Sequence, residues 1–140
     1  MTADLPDVNV LLALVTQDHE HHGLAASWLQ GAAQIALCPT TESGLIRLLL
    51  NPAVMSEPRS VQEALRAARL IRTLPRAAFW ADSTALDESR FGYALTGFRQ
   101  VTDLHLLTLA HSMGGVLVTL DGKIGAALRP TDRHNVRSLI

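Results

Sequence analysis

Four acidic residues of this chain share one placement: each lies at the end of a predicted strand or in the first turn of a predicted helix. They are Asp7, Glu42, Asp103 and Asp121. Open α/β sheets bind their ligands at the carboxyl ends of parallel strands. Four carboxylates gathered there would repel one another unless a divalent cation, Mg²⁺ or Mn²⁺, neutralised them. Their spacing therefore predicts a metal site that hydrolyses phosphodiester bonds.

The predicted chemistry needs carboxylates and water rather than a protein nucleophile. Magnesium prefers carboxylate and water oxygens in octahedral geometry and usually keeps several waters. Once bound, it can lower the pKa of a water and stabilise negative charge on a phosphoryl oxygen. A histidine or cysteine nucleophile is then unnecessary.

Each acid also has a simpler explanation. Glu42 and Asp103 could be ordinary helix N-terminal acids, where the helix dipole favours a negative charge. Asp121 and Gly122 could form a common turn pair. Asp7 is harder to explain in this way, because it lies between two apolar runs and risks burial without a partner. The four positions together are more specific than any one of them.

The elements that would position these acids alternate along the chain. Strands are predicted at 5–7, 35–37, 77–80, 116–119 and 136–140, and helices at 8–15, 21–29, 40–50, 61–74 and 103–113. Thr40 or Thr41 is the predicted cap of the third helix, and Thr102 that of the last. Residues 52–60 should be a loop, and 82–100 a mixture of short helix and loop. This order predicts a single domain, residues 1–140, with an α/β fold: a three-layer α/β/α sandwich around a mostly parallel sheet.

The composition limits where in the cell the protein is expected and how it could bind a nucleic acid. No apolar run approaches the roughly 18 residues of a membrane span, and the N-terminus does not resemble a secretory signal. A single cysteine, Cys38, fits a reducing cytoplasm. With a net charge of −1, a nucleic acid would need a local basic patch. The arginine stripe from Arg66 to Arg76 could contact phosphates or simply be a solvated helix face.

Four segments resemble one known family. They are Asp7-Val8-Asn9-Val10-Leu11-Leu12-Ala13-Leu14, residues 39–49 (PTTESGLIRLL), residues 102–110 (TDLHLLTLA) and Val118-Thr119-Leu120-Asp121. In this order they are similar to the PIN-domain ribonucleases of the VapC toxin type. The resemblance implies a PIN-like fold and a Mg²⁺- or Mn²⁺-dependent endoribonuclease that leaves a 5′-phosphate and a 3′-hydroxyl. It also implies that the four acids hold the metal directly or through water, and that Asn9 and Thr119 support the site.

The resemblance further implies partners. Toxins of this type belong to type II toxin–antitoxin pairs and are usually inhibited by a cognate antitoxin. We expect the helices at 8–15 and 21–29 to form a groove for an apolar antitoxin segment, whose arginine or lysine would enter the acidic site. RNA is the expected substrate, and a homodimer is the expected assembly.

Two other classes of protein remain as alternatives. A phosphoacceptor signalling domain also clusters acids at strand ends, but it would need paired acids after the first strand, where Val8 follows Asp7. A non-catalytic α/β interaction module would be favoured by the loss of an acid, and none is lost. A zinc-protease pattern at His19 fails, because the position four residues on is Gly23.

Overall fold

The computed structural model describes residues 2–140, and its centre is a sheet of five parallel strands. The strands are β1 (Asp4–Pro6), β2 (Ile35–Leu37), β3 (Ala77–Phe79), β4 (Val116–Thr119) and β5 (Val136–Ser138). Their order across the sheet is β3-β2-β1-β4-β5. Pro6 of β1 pairs with Val118 of β4, so the chain leaves these two neighbouring strands at the same carboxyl edge.

Six α-helices cover the two faces of this sheet. They are α1 (Val8–Val15), α2 (His22–Gly31), α3 (Pro39–Leu50), α4 (Val61–Arg72), α5 (Val101–Ser112) and α6 (Lys123–Ala127). Neighbouring residues of β4 point to opposite faces, as strand geometry requires. Leu117 belongs to the core cluster built with α5, and Val118 to the cluster built with α1. The predicted three-layer α/β/α fold is confirmed, and every strand pair in the described chain is parallel.

Two predicted helix caps are wrong. α3 begins at Pro39 after Cys38, so neither Thr40 nor Thr41 precedes the helix. The Thr41 hydroxyl instead accepts the Cys38 N–H from inside the first turn, at 3.1 Å. Thr102 does not cap α5 either, because a 3₁₀ turn at Phe98–Gln100 runs directly into the helix at Val101. A proline at the first helical position and a continuous 3₁₀ entry both allow a helix to start before a threonine.

The segment before α5 consists of short turns, as predicted for residues 82–100. Three 3₁₀ turns occur there, at Leu86–Glu88, Gly92–Ala94 and Phe98–Gln100. Phe91 is fully buried, and the Tyr93 hydroxyl donates to Asp132 at 2.6 Å. These contacts tie the segment to the body of the protein. Across residues 2–140, every helix is too short or too polar to cross a membrane.

Candidate active site

Asp7 is a buried carboxylate whose two oxygens both have donors. Its side chain is part of a residue only 5% exposed, at the N-cap of α1. Oδ1 accepts the backbone N–H of Val10 at 2.9 Å, and Oδ2 accepts the hydroxyl of Thr119 at 2.6 Å. Burial raises the pKa of Asp7, and these hydrogen bonds oppose the rise. The risk of an unpartnered buried acid is therefore removed by its own helix and by β4.

Thr119 joins two of the acids. Its hydroxyl donates to Asp7 and accepts the backbone N–H of Asp121 at 2.9 Å. Asp121 Oδ1 in turn accepts the N–H of Lys123 at 2.8 Å, the hydrogen bond of a common aspartate turn. Asp121 is therefore a turn residue. It is also close to Asp7, since its negative charge contributes to the raised pKa of Asp7.

Asp103 is the most perturbed acid of the group. Burial raises its pKa to about 6, and the negative charges of Asp7 and Asp121 add to the rise. A carboxyl group whose pKa approaches neutrality beside two other carboxylates favours a cation as its neighbour. The three aspartates come from α1's cap, α5 and the turn after β4, and they meet at the carboxyl edge of the sheet.

Glu42 lies in the first turn of α3 but has a different partner. Its Oε2 is 3.5 Å from Nε of Arg72 on α4. The same oxygen is buried and accepts no hydrogen bond within residues 2–140, so the contact is an ion pair without hydrogen-bond geometry. Glu42 does not contribute to the raised pKa of Asp7 or Asp103. The structure therefore groups three of the predicted acids and pairs the fourth with an arginine.

The helix that carries Glu42, α3, packs closely against α1, which Asp7 caps. A methyl group added at Gly44 of α3 would lie 2.7 Å from Cγ2 of Val8 on α1, which is closer than atoms can approach. Glycine at this position therefore allows the two helices to pack directly. The sequence contains this signal, a glycine inside a helix, although its partner is visible only in the fold.

The donors fit a hydrated magnesium ion better than a closed protein cage. Within residues 2–140, no three histidine, cysteine, aspartate or glutamate side chains form a ready-made metal group. Magnesium usually binds one or two carboxylates and retains several waters, so it does not require such a group. Carboxylate oxygens have two lone pairs each, and Asp7 and Asp121 keep acceptor capacity beyond the hydrogen bonds described.

The two supporting residues of the prediction have different surroundings. Thr119 is buried and bonded as described. The side chain of Asn9 is exposed and makes no hydrogen bond within the described chain, although its backbone N–H is directed to Asp7. Two arginines of the stripe from Arg66 to Arg76 have partners within the protein. Arg72 pairs with Glu42, and Arg76 donates to the backbone oxygens of Ala32 and Leu29.

One carboxylate at this edge was missed by the sequence analysis. Asp82, just beyond β3, accepts the N–H and the hydroxyl of Thr40 and also contacts Nε2 of His105. It lies in the segment whose periodicity was least clear. The only sequence signal was an acid following a predicted strand, which is the same signal that singled out Asp7.

The chain is similar to known proteins over most of its length. The family model for the PIN domain matches residues 5–127. Ribonuclease VapC38 of Mycobacterium tuberculosis is 38% identical over 122 residues, covering 86% of each chain. Ribonuclease VapC44 of the same species is 36% identical, covering 93% of this chain and 95% of the relative.

The fold has a solved counterpart. The crystal structure of M. tuberculosis VapC20, described as a Sarcin-Ricin loop cleaving toxin, superposes with a TM-score of 0.65. It is 17% identical and covers 89% of this chain and 94% of its own. At that identity the likeness concerns the fold alone. The family model and the close relatives establish that the chain belongs to the PIN-domain family, among the VapC proteins.

Proposed function

We propose that this protein is a Mg²⁺- or Mn²⁺-dependent endoribonuclease and the toxin of a toxin–antitoxin pair. The observation that carries the proposal is the meeting of Asp7, Asp103 and Asp121 at one sheet edge, with the pKa of Asp103 raised to about 6. The names of the relatives, which are ribonucleases, support RNA as the substrate. RNA cleavage by such a site would leave a 5′-phosphate and a 3′-hydroxyl, as the family resemblance implies.

In this proposal each acid has a stated role. Asp7, Asp103 and Asp121 would hold the hydrated cation, and Thr119 would keep Asp7 oriented through its 2.6 Å hydrogen bond. Glu42 would join them when Arg72 exchanges its carboxylate partner for an RNA phosphate. The cation, when bound, supplies a water of lowered pKa and stabilises charge on the phosphoryl oxygen. The side chains contribute position and negative charge rather than a covalent intermediate.

The first test is cleavage of RNA. Wild-type protein should cut a structured RNA at few positions with Mg²⁺ or Mn²⁺, and excess EDTA should abolish the cuts. Asp103→Asn and Asp121→Asn should each lose most of the activity and keep the fold, as judged by circular dichroism. Asp87→Asn is the matched control, because Asp87 is exposed and outside the site. Full activity in EDTA or in either site variant would remove the mechanism.

The second test measures the cation without RNA. A ligand that binds only the native state raises the melting temperature. Mn²⁺ should therefore raise the melting temperature of wild type and leave that of Asp103→Asn nearly unchanged. In EDTA, Asp7→Asn should melt no lower than wild type, because removing one negative charge relieves the repulsion among the carboxylates. If Asp7→Asn unfolds and Mn²⁺ leaves the melting temperature of wild type unchanged, the acids have a structural role rather than a metal-binding one.

The proposed partner is a small antitoxin. A groove of about 1020 Å³ opens between the end of α1 and the loop after α3, and Asp18, Glu57 and Glu63 are among its lining residues. It differs from the groove expected between the helices at 8–15 and 21–29, because its lining includes neither α2 nor any of the four predicted site acids. Its apolar lining, including Leu12 and Met55, together with these acids suits an apolar segment that also carries basic residues.

Affinity purification from the native cytoplasm, with and without excess Mg²⁺, tests this partner. We expect a small protein to co-purify and the complex to cleave RNA far more slowly than the free chain. Recovery of a complex with unreduced activity would count against the antitoxin assignment.

A further inference from the structure

Asp82 connects the two helices that carry Glu42 and Asp103. Its Oδ2 accepts the backbone N–H of Thr40 at 3.1 Å and the Thr40 hydroxyl at 2.8 Å. Its Oδ1 is 3.1 Å from Nε2 of His105. Thr40 belongs to α3, two residues before Glu42, and His105 belongs to α5, two residues after Asp103. A single carboxylate in the segment after β3 therefore contacts both α3 and α5.

Asp82 is an exposed residue, but its side chain has partners on both carboxylate oxygens. Its side chain is 24% exposed and that of His105 is 22% exposed. Burial raises the pKa of Asp82, but hydrogen bonds from His105, Thr40 and Cys38 outweigh burial and hold the pKa below its ordinary value. The Thr40 N–H is also one of the N–H groups at a helix start that no carbonyl of the helix can accept. Asp82 satisfies it from another element.

We propose that Asp82 is a positioning residue of the site, which sets the separation of Glu42 and Asp103 by hydrogen-bonding Thr40 and His105. This inference rests on the proposed function, since it assumes that both acids serve the bound cation. Asp82 itself would touch neither metal nor RNA. Residues that orient metal ligands from behind typically change metal affinity or activity by about 10- to 100-fold when mutated.

The experiment titrates metal-free protein with Mn²⁺ alone and measures affinity by calorimetry. Asp82→Ala removes the contacts with Thr40 and His105 and should weaken Mn²⁺ binding by about 10- to 100-fold. Asp82→Asn keeps an oxygen for Thr40, and its amide can donate to His105 in the other tautomer. It should therefore bind Mn²⁺ with near-wild-type affinity. Rescue by the neutral isostere separates hydrogen-bonded positioning from a contribution of charge.

Two further variants divide the network. Thr40→Val removes the hydroxyl donor, and His105→Phe removes the ring nitrogen while keeping a similar shape. Each should weaken Mn²⁺ binding less than Asp82→Ala does. When Asp82→Ala is added to the Thr40→Val/His105→Phe double variant, Mn²⁺ affinity should fall by less than it does when Asp82→Ala is made in wild type. These variants also carry the test if Asp82→Ala does not fold. Asp87→Ala, an exposed aspartate of the same segment, is the control and should bind as wild type does.

The outcomes separate this inference from the function on which it rests. Wild-type affinity in Asp82→Ala, with binding lost in Asp103→Asn, overturns the positioning role and leaves the metal site standing. Equal weakening in Asp82→Asn and Asp82→Ala also overturns it, because charge rather than hydrogen bonding would then matter. Absence of Mn²⁺ binding by wild type overturns both.

Discussion

The raised pKa of Asp103 makes a prediction about stability without metal. Its folded-state pKa is about 6 and its unfolded value is near 3.8, so the folded state holds the proton more tightly. Stability from this group is therefore fully present below about pH 4, falls as the pH rises toward about 6, and stays reduced above that. Asp103→Asn should be more stable than wild type at neutral pH, with the difference appearing across this window.

Urea unfolding in EDTA at several pH values measures this difference. Burial also raises the pKa of Asp7, so the Asp103→Asn variant should keep part of the pH dependence of stability seen in wild type. Asp87→Asn should follow the wild-type curve. Parallel curves for wild type and Asp103→Asn would mean that neither burial nor the neighbouring aspartates raise the pKa of Asp103 in the folded protein.

Arg72 is a second residue with a definite expectation. Its contact with Glu42 is 3.5 Å long and its side chain is 44% exposed, and such pairs contribute roughly 0–1 kcal/mol to stability. Arg72→Gln should therefore hardly change the melting temperature. If Arg72 passes from Glu42 to an RNA phosphate, the variant should bind Mn²⁺ more tightly and show a higher KM for RNA.

Arg69→Gln is the matched control, since Arg69 is an exposed arginine on the same helix. Cleavage rates at varied RNA and Mn²⁺ concentrations separate the two effects. An Arg72 variant with unchanged KM and unchanged Mn²⁺ affinity would show that the pair is only a surface contact.

At this scale the sequence could predict residue types and places but not partners. Asp7 could be singled out because an acid between apolar runs needs a partner. The partner, Thr119, lies 112 residues away and is fixed only when β1 and β4 pair. Likewise, nothing local in the sequence joins Glu42 to Arg72 or Asp82 to His105, because these contacts depend on how the helices pack.

Among the elements, the contact of α1 with α3 gives the clearest prediction. Gly44→Ala would place a methyl group 2.7 Å from Val8, a β-branched side chain with little rotamer freedom. Overpacking typically costs about 1–3 kcal/mol, which should exceed the gain in helix propensity of roughly 1 kcal/mol. Urea unfolding should show a net loss of stability, with weaker Mn²⁺ binding because Asp7 and Glu42 lie beside this contact.

Val8→Ala should relieve the clash, so the double variant should be more stable than the two separate losses predict. Gly23→Ala is the control, because α2 has open space at that position and the substitution should be neutral or stabilising. Additive losses from Gly44→Ala and Val8→Ala would place the strain elsewhere.

The elements themselves were predictable where one signal dominated. The apolar runs of β2 and β4, and the helix after Asp7, have the predicted bounds, since burial on the sheet leaves little choice of register. The threonine caps of α3 and α5 were wrong, because Pro39 and the 3₁₀ entry at residues 98–100 start those helices earlier. α6 was not predicted; it has only five residues and a weak periodic pattern.

For the whole molecule, the homodimer stays a prediction, and the exposed apolar side chains allow a test of it. Phe98 is 84% exposed and Leu70 is 64% exposed. Large apolar groups in water usually mark contact surfaces when they cluster. If the homodimer forms, sedimentation velocity should give the mass of a dimer, and Phe98→Ser, at the more exposed of the two side chains, should shift the equilibrium toward monomer. A monomer at all concentrations would refute the expectation.

The pairing of β1 with β4 also determines when activity can arise during synthesis. β1 emerges early from the ribosome, but the Thr119 hydroxyl that orients Asp7 is 112 residues further along the chain. Asp103 and Asp121 are likewise late, and contacts between distant residues form slowly because a long loop must close first. A nascent chain therefore passes most of its translation with one aspartate of the three in place. The ribosome that makes the proposed ribonuclease is thus not exposed to a finished site while the chain is still growing through β3.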